Sequence, residues 1–405
     1  MRAYLLIHPL FFAAALAIAS PVALSQSVPG DLKAAVDAAW QRSPQARTLQ
    51  AKRDEIVAAQ EAARSWVAGS PSVGLSERSD RWTERAGTRE REVSLSAPVW
   101  LPGQVSARRT QADASADDLE AQIANLRLSL AGEVRERLWA VAAAKENLAE
   151  ALNHQRFLGA TAEDVLRRVN AGDLARTDGM LARQEALAAK AAVVDAQLKV
   201  REALVQFSTL TGLPDVPAPT PEPVAAVPKE PHPRLLASKT AIQNAQASLN
   251  VVNKTRSEPP TVGVAFRRER DGYAADSASS VTVAVQIPIG TAARNRPLEA
   301  AARTELEKAS AEATMTEASL KAEIELARER VAASEEAFNA ASSQATLARQ
   351  HAQLIEKAFR LGERGLAEML RAQSLLHEAE VAERLQRVAV GLARARLNQA
   401  LGVTP

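Results

Sequence analysis

The chain has 405 residues, of which 46% are hydrophobic, 3% aromatic and none Cys. The lack of Cys excludes disulfides, thiol nucleophiles, Cys-bearing zinc or iron–sulfur centres and lipid attachment through an N-terminal Cys. Lys+Arg 50 against Asp+Glu 48 leaves a net charge of +2, too balanced to suggest a nucleic-acid binder, while 85 Ala, about a fifth of the chain, favour helices that approach one another closely.

Residues 1–25 read as a secretory signal. Arg2 precedes an apolar run from Leu5 to Ala19, and Ala23-Leu24-Ser25 offers a cleavage site before Gln26. The run is short for a bilayer span, and no later stretch is long and apolar enough to be a transmembrane helix. Membrane β-strands stay open, because they are short and alternating and leave little trace in hydropathy.

Residues 26–212 are expected to form a first structural repeat. Ser43-Pro44 opens a polar helical stretch that Pro71-Ser72-Val73-Gly74-Leu75 closes. Two β-like stretches follow, Ser72 to about Trp82 and Arg89 to Leu101, joined by a turn from Arg81 to Gly87. In Glu92-Val93-Ser94-Leu95-Ser96-Ala97-Pro98-Val99 apolar residues alternate with polar ones or Pro, the period of a strand with one apolar face. From Pro102 to Pro214 there is no intervening Pro. Leu119, Ile123, Leu126, Leu130, Val134, Leu138 and Val141 keep the three-and-four spacing of a helix face. Asn170-Ala171-Gly172-Asp173 interrupts that pattern as the tip of a helical hairpin, with an outgoing arm of about 100 Å. Gly132, Gly159 and Gly391 stand singly in helical pattern and read as tolerated or close-packing positions.

Residues 213–232 carry Pro every few positions and read as an extended linker. Residues 233–405 repeat the plan. His232-Pro233 and Pro260-Thr261-Val262-Gly263-Val264 lie 189 positions after Ser43-Pro44 and Pro71; Gly362 and Gly402 lie 190 after Gly172 and Gly212. The second pair of β-like stretches runs from Thr261 to about Arg270 and from Ser279 to Ile289, with a turn from Asp271 to Ala278. Pro297 and Pro405 bound the second Pro-free span, and its tip is Leu361-Gly362-Glu363-Arg364-Gly365. Four strands would bury little core and leave open edges. Closure with further copies into a barrel solves both problems; a small soluble β-domain capping a coiled-coil rod is the alternative. The residues point to no enzyme, no cofactor and no metal site. His154, His232, His351 and His377 show no ligand spacing and read as isolated surface residues, and phosphate-binding Gly loops are missing.

In the order of these parts the sequence resembles the TolC family of outer membrane efflux proteins. The similarity runs from the opening helix Asp31–Pro44 through Ser96-Ala97-Pro98-Val99-Trp100-Leu101-Pro102-Gly103-Gln104, Gln286-Ile287-Pro288-Ile289-Gly290 and both tips. The resemblance implies a mainly α fold with a small membrane β part. Three protomers would close a 12-stranded β-barrel, four strands each, continued by an α-helical barrel across the periplasm. It implies a homotrimer in the outer membrane, with a periplasmic adaptor docking at Gly172, Asp173, Gly362, Glu363 and Gly365. It also implies a periplasmic gate in which Arg364 meets Thr177 and Asp178, with Glu368 lining the constriction. Arg371 stands where the family has a further acid. The short length and missing lipidation Cys are most similar to the heavy-metal cation efflux branch, whose partner is an inner-membrane proton-driven RND pump. Drug efflux, type I secretion and a soluble periplasmic coiled coil are the alternatives.

Overall fold

The computed structural model describes residues 31–225 and 231–405. The signal read at 1–25 and residues 226–230 of the linker lie outside the described residues. The first half comprises α1 (Leu32–Arg42), α2 (Pro44–Arg64), β1 (Ser72–Ser79), β2 (Thr88–Pro98), α3 (Gln104–Ala171) and α4 (Arg176–Thr211). The second comprises α5 (Pro233–Lys254), β3 (Thr261–Asp271), β4 (Ala278–Gln286), α6 (Ala292–Arg360) and α7 (Leu366–Ala400). From α2 onward the halves repeat one order of elements. Pro44 and Pro233 each supply the first residue of a helix, where a missing N–H costs nothing. Ser43 Oγ and His232 Nδ1 cap those helices by accepting from Ala46 N and Arg234 N, at 3.2 and 3.1 Å.

The strands form one antiparallel sheet in the order β1-β2-β3-β4, so the central β2–β3 pair joins the two halves. Directly opposed residues share a face. One face carries Val73, Leu75, Val93, Leu95, Val262, Val264, Phe266, Val281, Val283 and Val285, all exposed. The other carries Gly74, Ser76, Ser94, Ser96, Gly263, Ala265, Thr282 and Ala284. A Cβ on Gly74 would lie 2.5 Å from Ser94 Oγ, so the small-residue face is also the crowded one.

Three of the four strands are shorter than the alternation suggests, and β3 runs one residue further, to Asp271. β1 stops at Ser79, and Trp82 lies in the turn. β2 and β4 stop at Pro98 and Gln286. Past Pro98 one further bond, Val99 N→Pro260 O (2.8 Å), continues the β2–β3 pairing before the chain leaves the sheet at Trp100; past Gln286 the chain leaves before Pro288, which has no N–H to extend a ladder. α6 begins before Pro297 rather than after it. The ring sits in the second turn, where it removes a single helical bond, and Asn295 N→Thr291 O (3.0 Å) and Asn295 Nδ2→Arg256 O (2.9 Å) hold the first turn.

At 68 and 69 residues, α3 and α6 are each about 100 Å long. The buried stripe of α6 is largely Ala (Ala327, Ala341, Ala345 and Ala352), whereas that of α3 sets Ala such as Ala131, Ala142 and Ala162 among Leu, Val and Trp. The bulkier packing gathers at two levels. Near the middle, Val134, Leu138 and Val141 of α3 meet Val36 and Ala39 of α1 and Phe207 of α4. At the far end both hairpin tips share a second cluster. Gln104 fastens the junction of strands and helices. Its Nε2 donates to Lys254 O and Ser257 O at 3.2 and 3.0 Å, and its Oε1 accepts from Leu101 N. Among the described residues no helix is long and apolar enough to cross a membrane.

Candidate gate and hairpin seam

Both tips are built the same way. Gly172 (φ 87°) and Gly362 (φ 77°) end α3 and α6 in the left-handed conformation that only glycine adopts without strain. Asp173 N→Arg168 O and Gly172 N→Val169 O, at 2.9 and 3.1 Å, close the first turn. Glu363 N→Ala358 O and Gly362 N→Phe359 O close the second at the same distances. These paired bonds satisfy the last helical carbonyls. No atom lies within 4 Å of a Cβ built at Gly172, Gly362 or Gly365, so the tips are open to a partner.

Behind the tips the two hairpins are one packed unit. Leu158, Ala162 and Val165 of α3 bury against Ala182 and Ala189 of α4, Phe359 of α6, and Leu366, Met369 and Leu370 of α7. The Arg168 guanidinium lies 5.3 Å from the Phe359 ring centre and ties α3 to α6. Asp173, Glu363, Arg364, Thr177 and Glu368 are exposed around this cluster, and Asp178 is half-buried.

Within the protomer Arg364 does not reach the Thr177–Asp178 pair. Its Nη1 donates to Glu368 Oε1 at 2.8 Å, one helical turn away. Both groups are about half exposed, so this pair adds little stability and leaves Arg364 free to exchange partners. Among the described residues Thr177 and Asp178 form no ion pair with it. The structure thus brings Arg364 and Glu368 together and leaves Thr177 and Asp178 on the neighbouring hairpin.

Above the tips, α3 and α7 run antiparallel along a seam that no sequence spacing reveals. Arg396 donates twice to Glu136, at 2.6 and 2.7 Å. Arg384 reaches Glu146 (3.0 Å) and Glu150 (3.2 Å). The His154 and His377 rings stack with centroids 4.0 Å apart and planes 11° apart. These two histidines are half-buried partners rather than the isolated surface groups expected, while His351 is exposed as expected. The signal was invisible because the partners come from helices 223 positions apart. His377 Nδ1 lies 3.5 Å from Glu150 Oε1, near enough for an electrostatic contact but without the geometry of a hydrogen bond. That contact is the chief reason the buried Glu150 carboxyl is held below the usual carboxylate range, against the cost of burial; Asn153 and Arg384 add to it. Burial, then the charge of His377, pushes His154 down to about 4, outweighing the opposing effect of Glu150. Among the described residues no cluster of three or more His, Asp or Glu side chains could hold a metal ion.

No family model matches the chain. The solved structure of outer membrane protein VceC from Vibrio cholerae superposes with a TM-score of 0.72 at 16% identity, over 92% of this chain and 96% of that one. CusC, described for folding and transmembrane channel formation, gives 0.73 at 16%, over 97% and 99%. The chain has the TolC-type outer membrane channel fold. A membrane protein from Pseudomonas aeruginosa shares this fold, with a TM-score of 0.74 at 17% identity over 92% and 90%. Among curated proteins, the cobalt-zinc-cadmium resistance protein CzcC of Cupriavidus metallidurans is 26% identical over 217 residues, 51% of each chain. The match therefore spans about half the length of that relative. In the channel fold the tips and seam lie on the helical hairpins, far from the sheet.

Proposed function

We propose that the chain is the outer membrane channel of a tripartite efflux system, a passive exit duct extending into the periplasm rather than an enzyme. The observation that carries this is the two-faced sheet. Its outward face is a band of exposed Val, Leu and Phe, its crowded face is Gly, Ser, Thr and Ala, and β1 and β4 are unpaired edges. A lone sheet of this kind would aggregate in water; three copies closed edge to edge would face lipid outside and water inside. The helices would continue the duct, with the adaptor docking at Gly172, Asp173, Gly362, Glu363 and Gly365 and an RND pump supplying the energy. The likeness to CzcC supports heavy-metal cations as cargo. The repeated order of elements supports residues 26–212 and 233–405 as copies of one unit.

In this reading the resting gate holds Arg364 on Thr177 and Asp178, and Glu368 lines the constriction. The Arg364–Glu368 pair seen in the protomer supplies a second resting place for the guanidinium. Transfer between two carboxylates exchanges one charge-assisted bond for another, so the step has a low net cost. The test is conductance of the purified trimer in planar bilayers. Arg364→Ser with Asp178→Ala is expected to raise closed-state conductance. Unchanged conductance removes the gate, and a soluble periplasmic monomer in place of heat-modifiable outer membrane trimers removes the channel itself.

A further inference from the structure

The sheet's outward face changes character abruptly beyond Phe266. Toward the turns at 80–87 and 272–277, the two rungs that follow hold Glu77, Arg91, Arg268 and Ser279, then Ser79, Arg89 and Arg270. Arg91 stands directly opposite Arg268, and Arg89 directly opposite Arg270. Like charges facing each other across strands destabilise a sheet unless something neutralises them. The only acid on this face among those rungs is Glu77, which holds Arg89 at 2.6 Å and Arg91 at 3.4 Å. Arg268 and Arg270 form no ion pair among the described residues, and Arg270 Nε is enclosed without a hydrogen-bond partner. Asp80, Glu84, Asp271 and Asp276, in or beside the turns, form no ion pair with them either. The opposite face at the same height is balanced: Arg267 is met by Glu90 and Glu92 at 3.0 and 2.9 Å. The excess of positive charge is therefore confined to the side that carries the apolar band.

We propose that Arg89, Arg91, Arg268 and Arg270 anchor the phosphate-bearing headgroups of lipids around the outer rim of the barrel. This rests on the reading of the sheet as a membrane barrel. Guanidinium forks match phosphate oxygens bidentately, and four of them against one carboxylate leave each protomer short of anionic partners. The placement selects a lipid over a soluble anion. Phe266 and Val264 lie on the same pleat immediately below Arg268, so a molecule held there lays its acyl chains along the apolar band. The helices leave the sheet at its opposite end, so this rim is the one farthest from the periplasmic hairpins. Arginines at such an edge would stand at the headgroup level, where their charge is tolerated, rather than in the hydrocarbon.

The test uses the purified full-length trimer, washed in detergent and also floated with vesicles. The probes are a bis-phosphorylated glucosamine glycolipid, its dephosphorylated form and inorganic phosphate. Wild type should retain the phosphorylated glycolipid and melt higher in its presence, and should respond to neither of the others. Arg268→Gln with Arg270→Gln should weaken retention about tenfold or more, since each charged hydrogen bond contributes a factor of that order. Arg78→Gln with Arg267→Gln, on the inner face, should leave it unchanged. Equal retention by both double variants, or an equal response to inorganic phosphate, overturns the proposal. Wild type that fails to float with vesicles overturns the barrel reading as well; flotation without selective retention overturns the anchoring site alone.

Discussion

Gly391→Ala is the sharpest test of how α7 sits on α3. A Cβ at position 391 would lie 2.1 Å from Trp139 Cη2 and 2.5 and 2.6 Å from Cζ3 and Cζ2. Carbon atoms pack at about 3.5–4.0 Å, so the methyl group intrudes by more than an ångström. Trp139 is 5% exposed, enclosed by Ala142 and Ala395 with Val388 and Leu392 beside them, and the ring has nowhere to swing. The helices must separate, which stretches the Arg396–Glu136 and Arg384–Glu146 pairs on either side. Overpacking by one methyl costs about 1–3 kcal/mol, and the confined ring puts this case at the upper end. Helix propensity opposes it, because replacing Gly by Ala inside a helix gains about 1 kcal/mol. A net loss of about 1–2 kcal/mol is expected, read as a lower denaturant midpoint at unchanged slope. Trp139→Leu in the Gly391→Ala background should recover part of it by removing the clashing ring edge. A neutral or stabilised Gly391→Ala protein would mean that propensity alone operates and that the close crossing does not exist.

Arg135→Met should be more damaging than its neighbours' changes. The guanidinium is 2% exposed and donates to both carboxylate oxygens of Glu222 (2.8 and 2.7 Å), to Gln399 Oε1 (2.8 Å) and to Val403 O (3.1 Å). Removing it leaves Glu222 with the Asn398 amide (3.2 Å) and loosens the Pro-rich segment from α3, a loss of about 3 kcal/mol, and limited proteolysis should cut between 213 and 225. Gly172→Ala and Gly362→Ala should each cost about 1–2 kcal/mol, since both hold positive φ in open space, and thermal melts should show no further loss from crowding. His154 makes stability fall with acid. Its value of about 4 in the folded chain lies below the usual 6.5, so the unfolded chain binds the proton more readily. Its effect is absent above pH 6.5, grows as pH falls and is complete below about 4. Glu150, itself held below its usual value, adds to the loss only once pH nears 4.5. His154→Gln should flatten the stability profile between pH 6.5 and 4.5, and an unchanged slope there would show that the stacked pair is not the cause.

The fold was legible because its signals are local. Gly172 and Gly362 mark the tips through a backbone conformation other residues avoid, Pro44 and Pro233 mark helix starts, and period-2 runs such as Val281 to Val285 mark the strands. Strand ends are less legible, because the alternation of side chains continues past Pro98 and Pro288 while the pairing stops at Val99 and Gln286. Pro297 misled in the opposite sense, because one lost bond in the second turn of a 69-residue helix is too small a cost to end it. The seam was illegible for a geometric reason. His154 meets His377, and Trp139 meets Gly391, only because α3 and α7 are packed antiparallel, and that pairing leaves no fixed spacing in the chain.

The distribution of strength along that seam bears on how the tips could move. From Arg135 to Glu150 the α3–α7 contacts are buried or multiple: the near-fully buried Arg135 donating to Gln399, a Trp against a bare Gly backbone, and two Arg–Glu links. At the His154–His377 level and below, among the described residues, α7 meets α3 through no Arg–carboxylate pair; His377 approaches Glu150, and the two rings are stacked without a hydrogen bond between them. Below that level the hairpins are joined by nonpolar packing around Val165 and Leu370 and by Arg168 over Phe359. Nonpolar contacts are undirected and permit sliding, whereas bidentate ion pairs fix register. Motion of α7 against α3 should therefore start at the His154–His377 level and grow toward the tips, leaving the upper seam fixed. Amide exchange tests this directly. Residues 366–376 should exchange faster than 384–398, and equal protection across both segments would show that α7 moves as one rigid rod.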